Sequence, residues 1–312
     1  MYKGFSLTFF LSSLIIGIVS CTSIPNKEPS NLKFNLNIKT SDKNKELIIE
    51  TIIEKGLNFV VNFDEDDGFY IQDDLQRSNL KYFCESFVDA QRKKIEDLIF
   101  YEKNDKVKKN LIVYTHEFKD AALNLKLKNP SHLYILLDKD KYETQIEKIL
   151  KADVSKLKFS EIQKLDMNSE IEHTPRIRND ISNIYFITDY DSGKSIVPVF
   201  RNLSTNIDFY STSQIFETAD NLNKLIDFEN TLIPIGDVLM KKISTEKDSS
   251  IKSTIENFLI KDFIQIEMMH QTDSFSQNVN LSTGTFNISK NKCISRNNDL
   301  WKVKTNSLFN LS

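Results

Sequence analysis

Glycine and proline are scarce in this chain, with 7 and 6 residues among 312. A phosphate-binding loop needs several glycines within a few residues, and the sequence has no such run. No pair of the four histidines has the spacing of a zinc site, and no Gly-x-Ser-x-Gly elbow occurs. These absences exclude the common nucleotide-binding, zinc-hydrolase and serine-hydrolase motifs. We therefore predict a protein that is not an enzyme and that uses no cofactor and no metal.

An excess of positive charge is also missing, because 41 Lys and Arg residues are balanced by 44 Asp and Glu residues. A nucleic-acid-binding surface requires a basic patch, so the composition predicts no nucleic-acid partner. Charged residues make up 27% of the chain and hydrophobic residues 40%, which is typical of a globular protein. A length of 312 residues is enough for one large or two small domains.

Two motifs are present only in part. Ser-x-x-Lys, which contains the nucleophile of penicillin-binding enzymes, begins at Ser155, Ser249 and Ser289 and recurs at other positions. The companion Lys-Thr-Gly motif is absent, so we interpret these as chance matches. Acidic residues 64–67 place Gly68 at the fifth position, whereas a calcium loop needs glycine at the sixth. They predict a solvated turn.

The first 20 residues have the form of a signal peptide, with Lys3 followed by an apolar run over residues 5–19. Small residues then lead into Cys21, the pattern of a bacterial lipobox. We predict cleavage before Cys21, acylation of its thiol and amine by chains such as palmitate, and a polar tether over residues 21–30. Thr22 stands where Asp would favour the inner membrane, so the outer membrane, on its periplasmic face, is the expected location.

Hydrophobic periodicity predicts an α/β protein. Residues 32–38 alternate as a strand with one wet face, a helix begins after Ser41, and Gly56 ends it. Residues 80–84 are strand-like, and apolar spacing predicts long helices over 86–103 and 251–266. The residues around 284–303 predict a closing hairpin or meander.

The most informative stretch begins at residue 174, where a polar segment leads into the apolar run 184–187. A short apolar run of β-branched and aromatic residues is typical of a strand that is buried on both faces. A helical stretch and a second strand-like run, 207–210, follow. Strand, helix and strand in this order predict a βαβ unit with parallel pairing.

The same stretch resembles a known family. The sequence Pro-Arg-Ile-Arg-Asn-Asp-Ile at 175–181, the following strand, and Asp-Phe-Tyr-Ser-Thr-Ser at 208–213 are similar to the C-terminal domain of penicillin-binding protein activator lipoproteins of the LppC type. Residues 79–83 and 283–288, and then Leu-Trp at 300–301, follow in the order of that family. The chain has Ser211 where the family pattern has Ala.

The resemblance implies a two-lobed, periplasmic-binding-protein type 1-like fold with parallel sheets, a reduced first lobe and a closing β-hairpin. It predicts one two-lobed domain over residues 31–306. Lobe A is expected at about 31–84 and 228–275, and lobe B at about 85–227 and 276–306.

Arg176, Arg178 and Asp180 form the most distinctive polar cluster. They are interpreted either as a loop that contacts a partner or a ligand or, preferably, as side chains that pin the loop before a buried strand. Cys84 and Cys293 are the remaining thiols. One hypothesis is a disulfide between them. The favoured hypothesis is that they are two separate buried cysteines in distant parts of the fold.

The family resemblance implies an outer-membrane lipoprotein that regulates, as an activator, a peptidoglycan synthase of the bifunctional penicillin-binding type. Two alternatives stay open. One is a periplasmic ligand-binding or sensor lipoprotein that uses the cleft between the lobes. The other is a wall-modifying hydrolase, against which the missing catalytic motifs count.

Overall fold

The computed structural model describes ten stretches of the chain. The predicted signal peptide, Cys21, the tether and residues 64–67 lie outside them, as do Ser249 and Ser289. No helix within the described stretches combines the length and the apolar character needed to cross a bilayer. The stretches are 33–63, 68–102, 108–138, 141–165, 172–204, 206–245, 250–274, 278–286, 293–304 and 307–310.

The chain opens with a small parallel sheet that belongs to lobe A. It consists of β1 (Phe34–Lys39), β2 (Phe59–Asn62) and β3 (Phe69–Tyr70), in the order β2-β1-β3, with α1 (Asp42–Glu54) between the first two strands. Residues of β1 are alternately buried and exposed, which confirms the predicted wet face. Gly56 lies in the left-handed region with φ of 60° just after α1, as predicted for a residue that ends a helix.

The predicted strand over residues 80–84 is wrong. These residues form turns, and only Phe83 makes an isolated bridge, to Ile294. The helix that follows begins as predicted, because the Ser86 side chain accepts a hydrogen bond from Asp89 N and caps α2 (Phe87–Glu96). It continues as a π-helical turn over Asp97–Glu102.

A seven-stranded sheet forms the body of lobe B. Its strand order is β13-β12-β8-β7-β6-β4-β5, in which β4 to β8 are parallel and the last two strands are antiparallel. The predicted βαβ unit is confirmed at its centre. Its strands and the helices between them are β4 (Lys109–Tyr114), α3 (Lys119–Lys128), β5 (Leu133–Leu136), α4 (Tyr142–Leu150), α5 (Ala152–Leu165), β6 (Ile181–Ile187), α6 (Tyr190–Leu203), β7 (Asp208–Tyr210) and β8 (Thr231–Ile235).

The last part of the chain passes to lobe A and back. The 21-residue helix α8 packs on α1, and a small antiparallel sheet of order β11-β10-β9 follows it. The chain then adds two strands to the large sheet. These elements are α7 (Asp237–Thr245), α8 (Ile251–Gln271), β9 (Val279–Leu281), β10 (Gly284–Phe286), β11 (Arg296–Asn297), β12 (Asp299–Lys304) and β13 (Ser307–Asn310).

Helices cover both faces of the large sheet. Ile184 and Phe186 of β6 share one apolar cluster with α4 and α6, whereas Tyr185 and Ile187 share the other with α2 and α3. The central strand is therefore buried on both faces, as its apolar run predicts.

The lobe boundaries differ from the predicted ones. Residues 228–275 are predicted in lobe A, but β8 pairs with β7 and β12 and lies in the large sheet of lobe B. The reason is that a strand's partners are set by the whole sheet and not by its own sequence. The chain therefore crosses from lobe B back to lobe A near Gly236, and not near residue 228.

Candidate functional site

The carboxyl ends of β4, β6 and β7 meet at one edge of the large sheet. The residues that follow these strands include Thr115, Thr188 and the Ser-Thr-Ser segment 211–213, all of which are buried. Ligands of open parallel α/β sheets bind outside this kind of edge, because loops and helix amino ends converge there. We call these residues the strand-end site.

Side chains from other parts of the chain fill the strand-end site. Ser213 Oγ donates a hydrogen bond to Gln76 Oε1 at 2.9 Å, and Ser213 N donates one to Gln91 Oε1 at 2.9 Å. Gln91 Nε2 in turn donates to the Pro234 carbonyl at 2.7 Å. Gln76 comes from the segment between β3 and α2, and Gln91 comes from α2, so two different parts of the chain fill the site.

A second set of bonds surrounds Gln214. Its Oε1 accepts from Arg92 Nη2 and from Thr212 Oγ1, both at 3.1 Å. Among the described residues, Arg92 Nε and Gln214 Nε2 are buried donors without a hydrogen-bond partner. The site therefore presents hydrogen-bond donors but no paired nucleophile and general base of the kind that acyl transfer needs.

Carboxylates line the rim of the strand-end site. Glu117 and Asp189 share a hydrogen bond. The pKa of Glu117 is raised, mainly by its partial burial and secondly by the neighbouring charge of Asp189. Arg77 Nη2 lies 3.3 Å from Glu217 Oε2 and Arg77 Nη1 lies 3.3 Å from Asp74 Oδ2. No group of three metal-binding side chains occurs in the described part of the chain.

Two of the three predicted loop residues bind each other. Arg178 Nε and Nη2 donate to the two carboxylate oxygens of Asp180, each at 2.6 Å, and this fork lowers the pKa of Asp180. Arg178 N also donates to the Leu150 carbonyl at 2.9 Å. Arg178 therefore ties the loop to the end of α4, in line with the pinning role.

Arg176 is placed differently, because its residue is exposed while its backbone N donates to Ser155 Oγ at 2.9 Å. The three predicted residues are thus not one joint site. The fork binds the loop to itself, and Arg176 is the most exposed of the three residues and the one left for the predicted partner contact.

The structure joins Cys84 and Cys293 in a disulfide, so the favoured reading of two separate buried cysteines is not what it contains. Cys84 N donates to the Ile294 carbonyl at 3.0 Å, and Ile294 N donates to the Tyr82 carbonyl at 2.8 Å. Sequence reasoning placed the two cysteines in distant parts of the fold because this pairing spans 209 residues.

A buried charge lies next to the disulfide, and sequence reasoning missed its role. The Arg296 guanidinium lies 4.0 Å from the centroid of the Phe83 ring, and burial lowers the pKa of Arg296 to about 10. Asp262 accepts hydrogen bonds from Ser282 N at 2.9 Å and from Thr283 N at 2.7 Å, while burial raises its pKa. The group connects α8 to the passage between the lobes and contains no exposed reactive atom.

A surface cavity of about 540 Å³ lies at the opposite, amino-terminal edge of the large sheet. Its lining includes Asp208 at the start of β7 and Asn230 just before β8. The cavity is therefore separate from the strand-end site.

Comparisons with known proteins find relatives only among solved structures. No protein-family model matches the chain, and no curated protein matches it. A protein from Rhodospirillum rubrum that is assigned to a branched-chain amino acid ABC transporter superposes with a TM-score of 0.54 at 7% sequence identity. The match covers 90% of this chain and 100% of that protein. The chain has a periplasmic-binding-protein type 1 fold.

Two further structures of this fold superpose less closely. The C-domain of LpoA from Haemophilus influenzae, described as a regulator of PBP1A, has a TM-score of 0.45 at 8% identity, over 89% of this chain and 82% of that one. A leucine-binding protein, LivK from Thermotoga maritima, has a TM-score of 0.45 at 12% identity, over 90% and 98%. The chain spans about half, 48%, of full-length LpoA from Haemophilus influenzae, with a TM-score of 0.44 at 9% identity over 89% of this chain.

Proposed function

We propose that this chain is a non-enzymatic lipoprotein that activates a peptidoglycan synthase of the bifunctional penicillin-binding type. The proposal rests on the family resemblance of residues 175–181 and 208–213. In the structure the first segment leads into the amino end of β6, and the second runs along β7 to the strand-end site. The two motifs therefore lie at neighbouring strands of the large sheet, the first just before β6 and the second along β7.

One observation supports the choice of a regulator over a ligand-binding protein. Side chains of the protein itself fill the strand-end site. A solute-binding protein of this fold would take its ligand between the lobes, next to the strand ends. Here Ser213 is fully buried and bonded to Gln76 and Gln91, which occupy that position. Because both amides are bonded to Ser213, protein side chains fill this position, which counts against the cleft-binding alternative.

The mechanism follows from attachment and binding. Acyl chains on Cys21 would hold the protein at the periplasmic face of the outer membrane, and residues 22–30 would let the folded domain reach the synthase. A bound regulator that prefers the active conformation of the enzyme shifts its conformational equilibrium toward that state. No covalent step is required of this chain.

Binding to a purified bifunctional penicillin-binding protein of the source organism tests the proposal. We expect the full chain to bind with micromolar or tighter affinity and to raise the rate of peptidoglycan polymerisation. We expect Arg176→Ala to weaken binding about tenfold, because an exposed interface Arg often carries a large share of the binding energy. Lys126→Ala is the matched control, since Lys126 is an exposed cation on α3, on the other side of the sheet.

Two results would contradict the proposal. Absence of binding to any bifunctional synthase of the organism would remove the activator role. A small molecule that raises the melting temperature of the wild-type chain, and fails to do so for Ser213→Ala, would favour ligand binding between the lobes.

A further inference from the structure

Helix α5 presents its apolar residues to solvent. Of its 14 residues only Ala152 is fully buried. Val154, Leu157, Ile162 and Leu165 have 44%, 64%, 53% and 88% of their surfaces exposed. Helices at protein surfaces normally turn such a stripe toward the core, so an outward stripe of four large aliphatic side chains indicates an interaction surface.

The first half of α5 is held in place by specific contacts. Ser155 Oγ lies 3.2 Å from His173 Nε2 and accepts the hydrogen bond from Arg176 N. The Phe159 ring stacks on His173 with a centroid distance of 4.2 Å. These contacts fix the orientation of the first half of the helix, whereas residues 160–165 are exposed on every side of it.

The stripe has an internal symmetry. Its six positions are occupied, in order, by Val154, Leu157, Lys158, Glu161, Ile162 and Leu165. Reversal of this order about the midpoint between residues 159 and 160 exchanges each aliphatic residue with another aliphatic residue, and Lys158 with Glu161. At 3.6 residues per turn all six positions fall on one side of the helix, and each of the three exchanged pairs is centred on the same line along that side.

We propose that α5 is a homodimer interface in which the helices of two copies pack antiparallel across a two-fold axis. Val154 of one copy then faces Leu165 of the other, and Leu157 and Ile162 lie on opposite flanks of the contact. Lys158 and Glu161 meet their opposite charges twice, once on each side of the axis. A two-fold interface must be self-complementary. This stripe meets that condition because aliphatic residues are matched with aliphatic residues and Lys158 is matched with Glu161.

Charge argues for a second copy over the other occupants of an apolar stripe. An anionic membrane would favour lysines alone, and Glu161 near the centre of the stripe opposes it. A different protein would not require that the charges be mirrored about the midpoint. Only a second copy uses the symmetry itself.

The predicted dimer is weak. A 14-residue helix is about 21 Å long. One helix pair of this length buries on the order of 300 Å² per copy, against about 800 Å² for a stable complex of standard size. We therefore expect association in the high micromolar range in solution, and the test uses the full chain in whole cells, where its natural attachment is retained.

Cross-linking across the axis tests the geometry. Two tagged copies of the full chain are co-produced, one with Val154→Cys and the other with Leu165→Cys, and treated with a short, membrane-permeant bismaleimide. We expect a product that carries both tags, because packed helices lie about 8–10 Å apart. When both copies carry Val154→Cys the thiols are about 16 Å apart in an antiparallel pair, so this combination should give no product. The parent chain without added cysteines controls for reaction at Cys21.

Charge reversal tests the pairing. In the cross-linking background we expect Lys158→Glu in both copies, or Glu161→Lys in both copies, to reduce the product at least fivefold. When one copy carries Lys158→Glu and the other Glu161→Lys, both ion pairs are restored and the product should return. Each altered side chain is exposed, and circular dichroism checks that the helix is retained.

Three results would overturn the proposal. The first is equal cross-linking of the Val154→Cys pair with itself, which indicates a parallel or random encounter. The second is failure of the mixed charge reversal to restore the product. The third is a wild-type chain that remains monomeric while the stripe binds phosphatidylglycerol vesicles, which would assign it to a membrane surface.

Discussion

At the scale of single residues, neighbouring side chains of one loop have separate roles. Arg178 forms a two-bond fork with Asp180, whereas Arg176, two residues earlier, is exposed. Sequence reasoning found all three residues, because Arg and Asp stand out before an apolar strand. It did not separate them, since the partner of Arg178 at the end of α4 is 28 residues away in the chain.

The fork predicts a pH-dependent contribution to stability. The pKa of folded Asp180 is lowered below its ordinary value of 3.8, so the pair stabilises the fold above pH 3.8. Its contribution is lost as the pH falls through the lowered pKa of folded Asp180. We expect Asp180→Asn to lower the free energy of unfolding by about 1 kcal/mol at pH 7, a value discounted because this carboxylate is partly exposed.

Urea unfolding at pH 7, 4 and 3 measures this effect. The difference between Asp180→Asn and the wild type should shrink with falling pH. Glu50→Gln is the control, because it makes the same chemical change at an exposed position on α1. A difference that stays constant over this range would show that the charge of Asp180 is not its source.

At the scale of elements, the local hydrophobic pattern predicted well whether a segment is a helix or a strand. It predicted poorly which segments pair with each other. The strand at 184–187, the strand at 207–210 and the two long helices were predicted because each has a clear apolar period. The residues around 80–84 were wrongly assigned to a strand. Their one bridge, from Phe83, reaches Ile294, and no local pattern contains information about so distant a partner.

The residue before α7 packs closely against the turn that leads into β10. A Cβ on Gly236 would lie 2.6 Å from Gly284 N and 2.7 Å from the carbonyl carbon of Thr283, and both are backbone atoms. We expect Gly236→Ala to lower the free energy of unfolding by about 3 kcal/mol, since the helix and the turn before β10 must move apart.

Thermal and urea unfolding measure this loss. Gly56→Ala is the control, because a Cβ there meets nothing within 4 Å and only the positive φ opposes it. That change should cost about 1 kcal/mol. Equal losses for the two variants would mean that the contact at Gly236 relaxes without cost.

At the scale of the whole molecule, the α/β class and the two-lobed fold were predictable and the lobe boundary was not. Alternating strands and helices specify the class, and the order of the family motifs pointed to the fold. The place of β8 depends on pairing with β7 and β12, which lie before and after it in the chain. The filling of the strand-end site by Gln76 and Gln91 is likewise a property of the assembled lobes.

Attachment to the membrane is a prediction for the whole molecule. We expect wild-type protein to incorporate labelled palmitate and to fractionate with outer membranes. Cys21→Ser should abolish labelling and move the protein to the soluble fraction, because acyl chains supply the free energy of membrane binding. Ser20→Ala keeps a small residue before Cys21 and is the control. Membrane association of Cys21→Ser at the wild-type level would rule out the lipid anchor.

The disulfide gives the molecule a mechanical property. Residues 84–293 form a closed covalent ring, and the two ends of the chain leave it at the same point. The arm before the ring contains β1 to β3, and the arm after it contains β11 to β13. A force that pulls on both ends therefore passes through the sulfur atoms and bypasses the ring, so only roughly a third of the chain can be extended. Reduction of the bond would place the remaining two-thirds under tension.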